Sequence, residues 1–425
     1  APVAAPAALS REDCLADLSE LARRAALEWS YADDKREHFG VDLERLRAQA
    51  EQSLSGQPTL AEFDESLRRF VAGMKDGHAG VELPGLPESR LRVWPFTVAD
   101  AVEGILVDAV AEGTPDLKPG DLLLSADRRP IESVIADAMA LTSASTDGAR
   151  RVLALSAMRR TDAPTVRCIL QRPAGPLMEL ELATLPAEPG LAAPERPPRE
   201  TAHRRLEGDI GYLRIGHFVA PDAAAWATAT PEQRPALIEP LVAPFRQAFA
   251  ELADTRALIL DLRGNPGGTD LAGMEVARHL LPPGATYFQL QGRLEDGEWA
   301  TISQHGFPPE PGVPRYERPL VVLIDERTFS TADNLSACLR DHLPEARFVG
   351  RPTGGGTGAP RPITLPRSGA SVTFCTQRVY GPAGTLTEGR GTTPDVAVRW
   401  TREDLLTGAD PDLAASLALL GPAER

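Results

Sequence analysis

Long apolar runs are missing from this chain: no stretch of its 425 residues approaches the length needed to cross a bilayer, so no integral membrane segment is expected. A basic block is missing too. The 60 acidic residues outnumber the 45 basic ones, and the resulting formal charge of -15 is spread along the chain. Such a surface repels a polyanion, which sets nucleic acid aside as a partner. The four cysteines, Cys14, Cys168, Cys338 and Cys375, contain no Cys-x-x-Cys pair. They form no metal site among themselves, and buried free thiols are the expected reading. The sequence contains no internal repeat. It also begins Ala1-Pro2-Val3 without a methionine, which suits a processed export product or a trimmed chain. Export to the periplasm or the extracellular medium is the preferred expectation.

What is present is enough chain for two or three domains of ordinary globular composition, with 42% hydrophobic residues. Residues 10 to 74 have helical periodicity. Ser10 followed by Asp13, and Thr59 followed by Glu62, are capping-box starts, and Phe63, Leu67, Phe70, Val71 and Met74 fall on one helical face. A helical N-terminal domain over 1–90 is expected, closing in the loop Asp76-Gly77-His78. From 91 to 184 short apolar runs alternate with turns, among them Gly104 to Val107 and Pro119-Gly120-Asp121 with the following Leu122 to Leu124. A helix from Ile131 to Leu141 and strands at 166–170 and 177–182 complete a β-rich unit. Pro186, Pro189, Pro194, Pro197 and Pro198 mark 185–200 as a semi-rigid linker. Beyond it, strands at 210–215, 257–262 and 321–324 alternate with helices at 235–252 and 331–343, which predicts an α/β domain over 201–425.

Two segments of that last domain carry chemistry. The strand Leu258 to Leu262 runs directly into Arg263-Gly264-Asn265-Pro266-Gly267-Gly268. Glycines there let backbone amides approach a ligand, as in an oxyanion hole or a phosphate cradle. A phosphate loop also requires a Gly-Lys-Ser/Thr ending, absent here and absent at Gly354 to Gly358, so the nucleotide reading falls away. The second segment places Ser330 between the apolar run 321–324 and the helix at 331–343. A serine at such a joint projects its hydroxyl at the rim of a sheet, beside free helix amides. It serves either as a nucleophile or as a helix cap, and at such joints capping is the commoner role.

Four elements together resemble the S41 family of serine peptidases, which includes tail-specific and carboxy-terminal processing proteases, tricorn and the interphotoreceptor retinoid-binding proteins. They are Asp76-Gly77-His78, Asp261 to Gly268, Thr328-Phe329-Ser330-Thr331-Ala332-Asp333, and Glu388 to Asp395. The β-rich unit resembles a PDZ domain, which implies recognition of extended peptide ends by strand addition. The family resemblance implies an α/β core of the S41 and crotonase-like type. One branch of the family uses a serine and lysine dyad, with the lysine in the glycine-rich turn after the serine. Arg351-Pro352-Thr353-Gly354-Gly355-Gly356-Thr357 has no lysine, which excludes that dyad.

The branch resembling tricorn implies instead that Ser330 attacks, His78 acts as general base and Glu388 orients the imidazole. The backbone amides of Gly267 or Gly268 and of Thr331 are nominated for the oxyanion. Asp76 and Arg263 read as loop-fixing residues, and Asp333 as a charge serving the start of its helix. His38, His203, His217, His279, His305 and His342 lack a glycine-flanked loop context and read as ordinary surface or helix residues. The reaction implied is peptide-bond hydrolysis through an acyl-enzyme, without metal or cofactor, on peptide or protein substrates. A non-catalytic ligand-binding protein on the same scaffold, and an esterase or acyl-transfer enzyme with the same triad, are the alternatives.

Overall fold

Both expected capping boxes form. In the computed structural model of the chain, the Ser10 hydroxyl accepts the Asp13 amide at the head of the helix Arg11–Glu28, and the Asp13 carboxylate accepts from the Ser10 amide. Thr59 and Glu62 repeat the pattern at Leu60–Gly73. The structure describes residues 9–86, 92–173, 175–187, 200–294, 298–307 and 313–422. The chain divides into two units, each drawn from separate stretches. The first is Ala1–Pro194 with Pro360–Thr376 and Arg399–Ala409, and the second is Glu195–Ala359 with Gln377–Val398 and Asp410–Arg425. This differs from a core running unbroken over 201–425, because 360–376 and 399–409 belong to the first unit.

In the first unit, Phe63, Leu67, Phe70, Val71 and Met74 are all buried, as their shared helical face demands. The β-rich part is an antiparallel sheet in the order Phe96–Ala101, Gly104–Val110, Leu122–Ala126, Thr165–Gln171, Leu177–Ala183. Its core comprises Phe96, Ile105, Val107, Leu123, Val166 and Leu170 under the helix Ile131–Ala140. A second helix, Asp147–Ala157, is capped by Thr146 and was not anticipated. The Pro119-Gly120-Asp121 turn is fixed by Gly120 donating to the Val107 carbonyl and Val107 donating to that of Asp121. The expected linker starts as a strand, since Leu185–Pro186 pairs with Arg92–Val93, while 188–199 lie outside the described residues. Most relevant to the site, Gly80–Glu82 pairs antiparallel with Ser371–Cys375, which pairs in turn with Pro360–Thr364.

The second unit is built on a six-stranded sheet in the order Ala202–Leu206, Ile210–Arg214, Ala257–Asp261, Leu320–Ile324, Arg347–Gly350, Val396–Ala397. The first pair is antiparallel and the rest are parallel. The two central strands are buried along their whole length, because both faces of the sheet are covered. Leu258, Leu260, Val322 and Ile324 pack into the cluster beneath Arg234–Glu251, Asp270–Arg278 and Thr331–His342. Ile259, Val321 and Leu323 face the opposite cluster, which Leu413 and Leu417 of Pro411–Leu420 help to close. Parallel strands of this kind deliver their loops to one edge, beyond the carboxyl ends, where α/β folds place ligands.

Candidate active site

The turns leaving the two central strands of the second unit are tied together before any reactive group is placed. Arg263, fully buried, donates to Asp261 and to both Asp410 and Asp412, with N···O distances of 2.6 to 3.0 Å. The Asp325 carboxylate accepts the Gly264 amide at 2.8 Å and the Thr328 amide at 3.0 Å. Thr328 Oγ1 donates to the Leu262 carbonyl, and the Phe329 amide donates to that of Asn265. The turn at 263–268 and the turn at 325–329 are thus one hydrogen-bonded body. Asp261 and Arg263 serve it structurally.

Ser330 sits on that body with φ 57° and ψ -119°, a backbone conformation that a residue with a Cβ adopts only under constraint. It holds the N-cap position of Thr331–His342, yet its side chain makes no capping hydrogen bond. The capping role that sequence statistics favour is therefore not the role it plays. Its backbone amide donates to the Gly356 carbonyl at 3.1 Å. Gly267 lies directly against it: a Cβ there would stand 2.7 Å from Ser330 Cβ and 2.8 Å from the Thr331 amide nitrogen, and φ at Gly267 is +91°. Only glycine allows that approach.

The nominated oxyanion donors separate on inspection. The Gly267 amide donates to Asn265 Oδ1 at 2.9 Å and is already used. The neighbouring Gly268 amide and the Thr331 amide donate to no acceptor among the described residues. The Thr331 amide follows Ser330 directly in the chain, and the Gly268 amide follows Gly267, which packs against Ser330.

Two buried carboxylates hold the loop 355–357, to which the Ser330 amide is bonded. Glu388 is fully buried and accepts the Thr357 amide at Oε2, at 3.0 Å, so it is no solvated turn residue. Asp333, also fully buried, accepts the Gly355 and Gly356 amides at 3.2 and 3.0 Å. Its carboxylate, in the first turn of its own helix, thus also fixes the glycine-rich loop. Burial pushes the Asp333 carboxyl up to about 7, and the charge of Glu388 adds to that. The Gly355 carbonyl accepts the Gly389 amide, so the loop ties Asp333, Ser330 and Glu388 into one framework.

The Asp76-Gly77-His78 loop belongs to the first unit. Asp76 is fully buried; its Oδ1 accepts the His78 amide at 2.9 Å, and its Oδ2 accepts Trp29 Nε1 at 3.0 Å and the Cys375 amide at 3.1 Å. The Gly77 amide donates to Ser145 Oγ at 2.8 Å. His78 is half-buried with Nδ1 shielded from solvent, and burial holds its imidazole below the ordinary value despite the opposing charge of Asp76. A neutral ring at neutral pH is the form a general base requires.

Residues 209–398 match Peptidase family S41. The chain carries an S41 domain. Over 212 residues it is 28% identical to a carboxy-terminal-processing protease of Bartonella bacilliformis, covering 50% of this chain and 44% of that protein. Over 152 residues it is 33% identical to a carboxyl-terminal-processing protease of Synechocystis, covering 34% of this chain and 28% of that protein. The chain therefore aligns with less than half the length of either relative. Among solved structures, mature CPAF complexed with lactacystin has the same fold, with a TM-score of 0.75, 19% identity, and coverage of 96% of this chain and 98% of that one.

The S41 domain contains Ser330, Glu388, both glycines and Asp333, whereas His78 lies outside the matched span. Sequence reasoning missed Asn265, Thr357 and Cys375. The first was readable, since an asparagine between Gly264 and Pro266 is a side chain suited to bonding a turn amide. The other two depend on partners far away in the chain, and nothing local marks them.

Proposed function

We propose that the protein is a serine peptidase in which Ser330 attacks the scissile carbonyl, His78 takes the hydroxyl proton and Glu388 orients the imidazole and stabilises its charged form. The amides of Gly268 and Thr331 stabilise the oxyanion, a contribution of about 3 kcal/mol per donor in related chemistry. The observation that carries this reading is the strained Ser330, whose side chain does not cap its helix, pressed against Gly267, with the amides of Thr331 and Gly268, the residues that follow each of them, donating to no acceptor among the described residues. A serine kept in that conformation solely as a scaffold would have no use for the strain. The missing dyad lysine and the neutral state favoured for His78 support an imidazole base.

A fluorophosphonate probe tests the nucleophile. Covalent labelling of the intact chain, lost in Ser330→Ala, is the expected result, and an unlabelled intact chain would favour a non-catalytic ligand-binding protein. Turnover of simple esters with no cleavage of peptides would favour the esterase reading. The antiparallel sheet of the first unit is proposed to act as a PDZ-like module that engages peptide ends, supported by its Pro119-Gly120-Asp121 turn and strand order. Amidating the carboxyl terminus of a cleaved peptide should then raise KM at least several-fold, and an unchanged KM would remove the module from substrate selection. Export from the cytoplasm is part of the same proposal and is checked by cell fractionation.

A further inference from the structure

The loop that carries His78 contains a second arrangement of ligating atoms. One carboxylate oxygen of Asp76, one ring nitrogen of His78 and the Cys375 sulfur all lie within 4.8 Å of one another. Three donors around a tetrahedral zinc ion sit roughly 3.5 Å apart, so the three side chains need to close by only about an ångström. We infer that Asp76, His78 and Cys375 form a site for a divalent zinc-type cation, and that the cation takes the imidazole out of use as a base. The effect on catalysis rests on the proposed role of His78, whereas the binding site does not.

The donor set selects the metal. A thiolate and an imidazole with one carboxylate suit zinc and its transition-metal neighbours, and a thiolate makes the set a poor one for magnesium or calcium. Charge selects it as well. One thiolate and one carboxylate balance a doubly charged ion, so the filled site is neutral, which lowers the cost of placing it where Asp76 and Cys375 are fully buried. His78, half-buried, is the side from which an ion enters.

The carboxylate is already oriented for the task. Trp29 Nε1 and the Cys375 amide hold Asp76 Oδ2, the kind of outer support that ligating carboxylates usually have. Oδ1 faces the Cys375 sulfur at 3.6 Å, where the thiol now donates. On binding, the thiol proton leaves to solvent, the thiolate takes the cation, and Oδ1 exchanges the S–H for the ion; no redox change is involved. The other three cysteines are buried and free and are separate from the cluster, so Cys375 can be replaced alone.

The test uses the full chain and its Cys375→Ser variant, which retains the amide that holds Asp76. Cobalt(II) added to the intact chain should give the near-ultraviolet charge-transfer absorption of a cobalt–thiolate bond at one ion per chain. Cys375→Ser should lack that absorption and bind zinc at least 100-fold more weakly, while melting at the same temperature without metal. A cobalt spectrum with no thiolate band, or equal zinc affinity in the two proteins, would overturn the site. For catalysis, zinc should inhibit peptide cleavage by the intact chain at concentrations at least 10-fold below those that inhibit Cys375→Ser. If the thiolate band appears but the metal-free chain cleaves nothing, the peptidase reading fails and the site stands. If the chain cleaves and no band appears, the site fails and the peptidase reading stands.

Discussion

Asp333 shows how a buried carboxylate can serve a site without touching substrate. Its pKa of about 7 means that the folded chain holds on to a proton that the unfolded chain releases near 3.8. The stabilisation associated with that raised pKa is therefore complete below 3.8 and is lost as pH rises through about 7. Asp333→Asn removes the titration, so the difference in unfolding free energy between wild type and variant should shift in favour of the variant from pH 4 to 8, by at most about 4 kcal/mol. Denaturant unfolding across that range measures it, and a pH-independent difference would contradict the assignment. His78 has the opposite sense. Its depressed pKa keeps the base neutral at lower pH, so the acid limb of kcat/KM should have its midpoint below 6.5, the ordinary value. A midpoint above 6.5 would argue for a different base.

The turn pair at 263–268 and 325–329 is the element on which the nucleophile depends. Gly267→Ala introduces a Cβ 2.7 Å from that of Ser330 at a φ of +91°, so kcat should fall by about 100-fold or more while the sheet beneath still folds. A variant with normal kcat would show that the close approach is not required. Arg263→Met leaves Asp261, Asp410 and Asp412 without their shared cation and should cost about 3 to 5 kcal/mol, read as a lower denaturant midpoint. Elements of this sort were largely legible in the sequence. Capping boxes, apolar strands and a strand ending in glycines are local patterns, and each formed where the pattern lies. The strands Thr286–Arg293 and Trp299–Gly306 escaped because polar residues interrupt their apolar positions, and the helix Asp147–Ala157 because its apolar residues fall mainly in one short run, 152–155, that does not by itself distinguish helix from strand.

Across the chain as a whole, sequence separation decides what can be read. Gly80–Glu82 pairs with Ser371–Cys375, and no local period announces a strand whose partner lies so far away. That pairing brings Cys375 to Asp76 and removes 360–376 from the expected core. His78, Ser330 and Glu388 were nominated from motifs at equally distant positions, and the conformation of Ser330 and the burial of Glu388 are what the structure adds to them. The claim on which the mechanism turns is that His78 is the base for Ser330. It is tested by the rate at which a fluorophosphonate labels Ser330 in wild type and in a folded His78→Ala variant. The expected result is a fall of about 1,000-fold or more in the variant, with labelling still confined to Ser330. A labelling rate unchanged by the loss of His78 would contradict it.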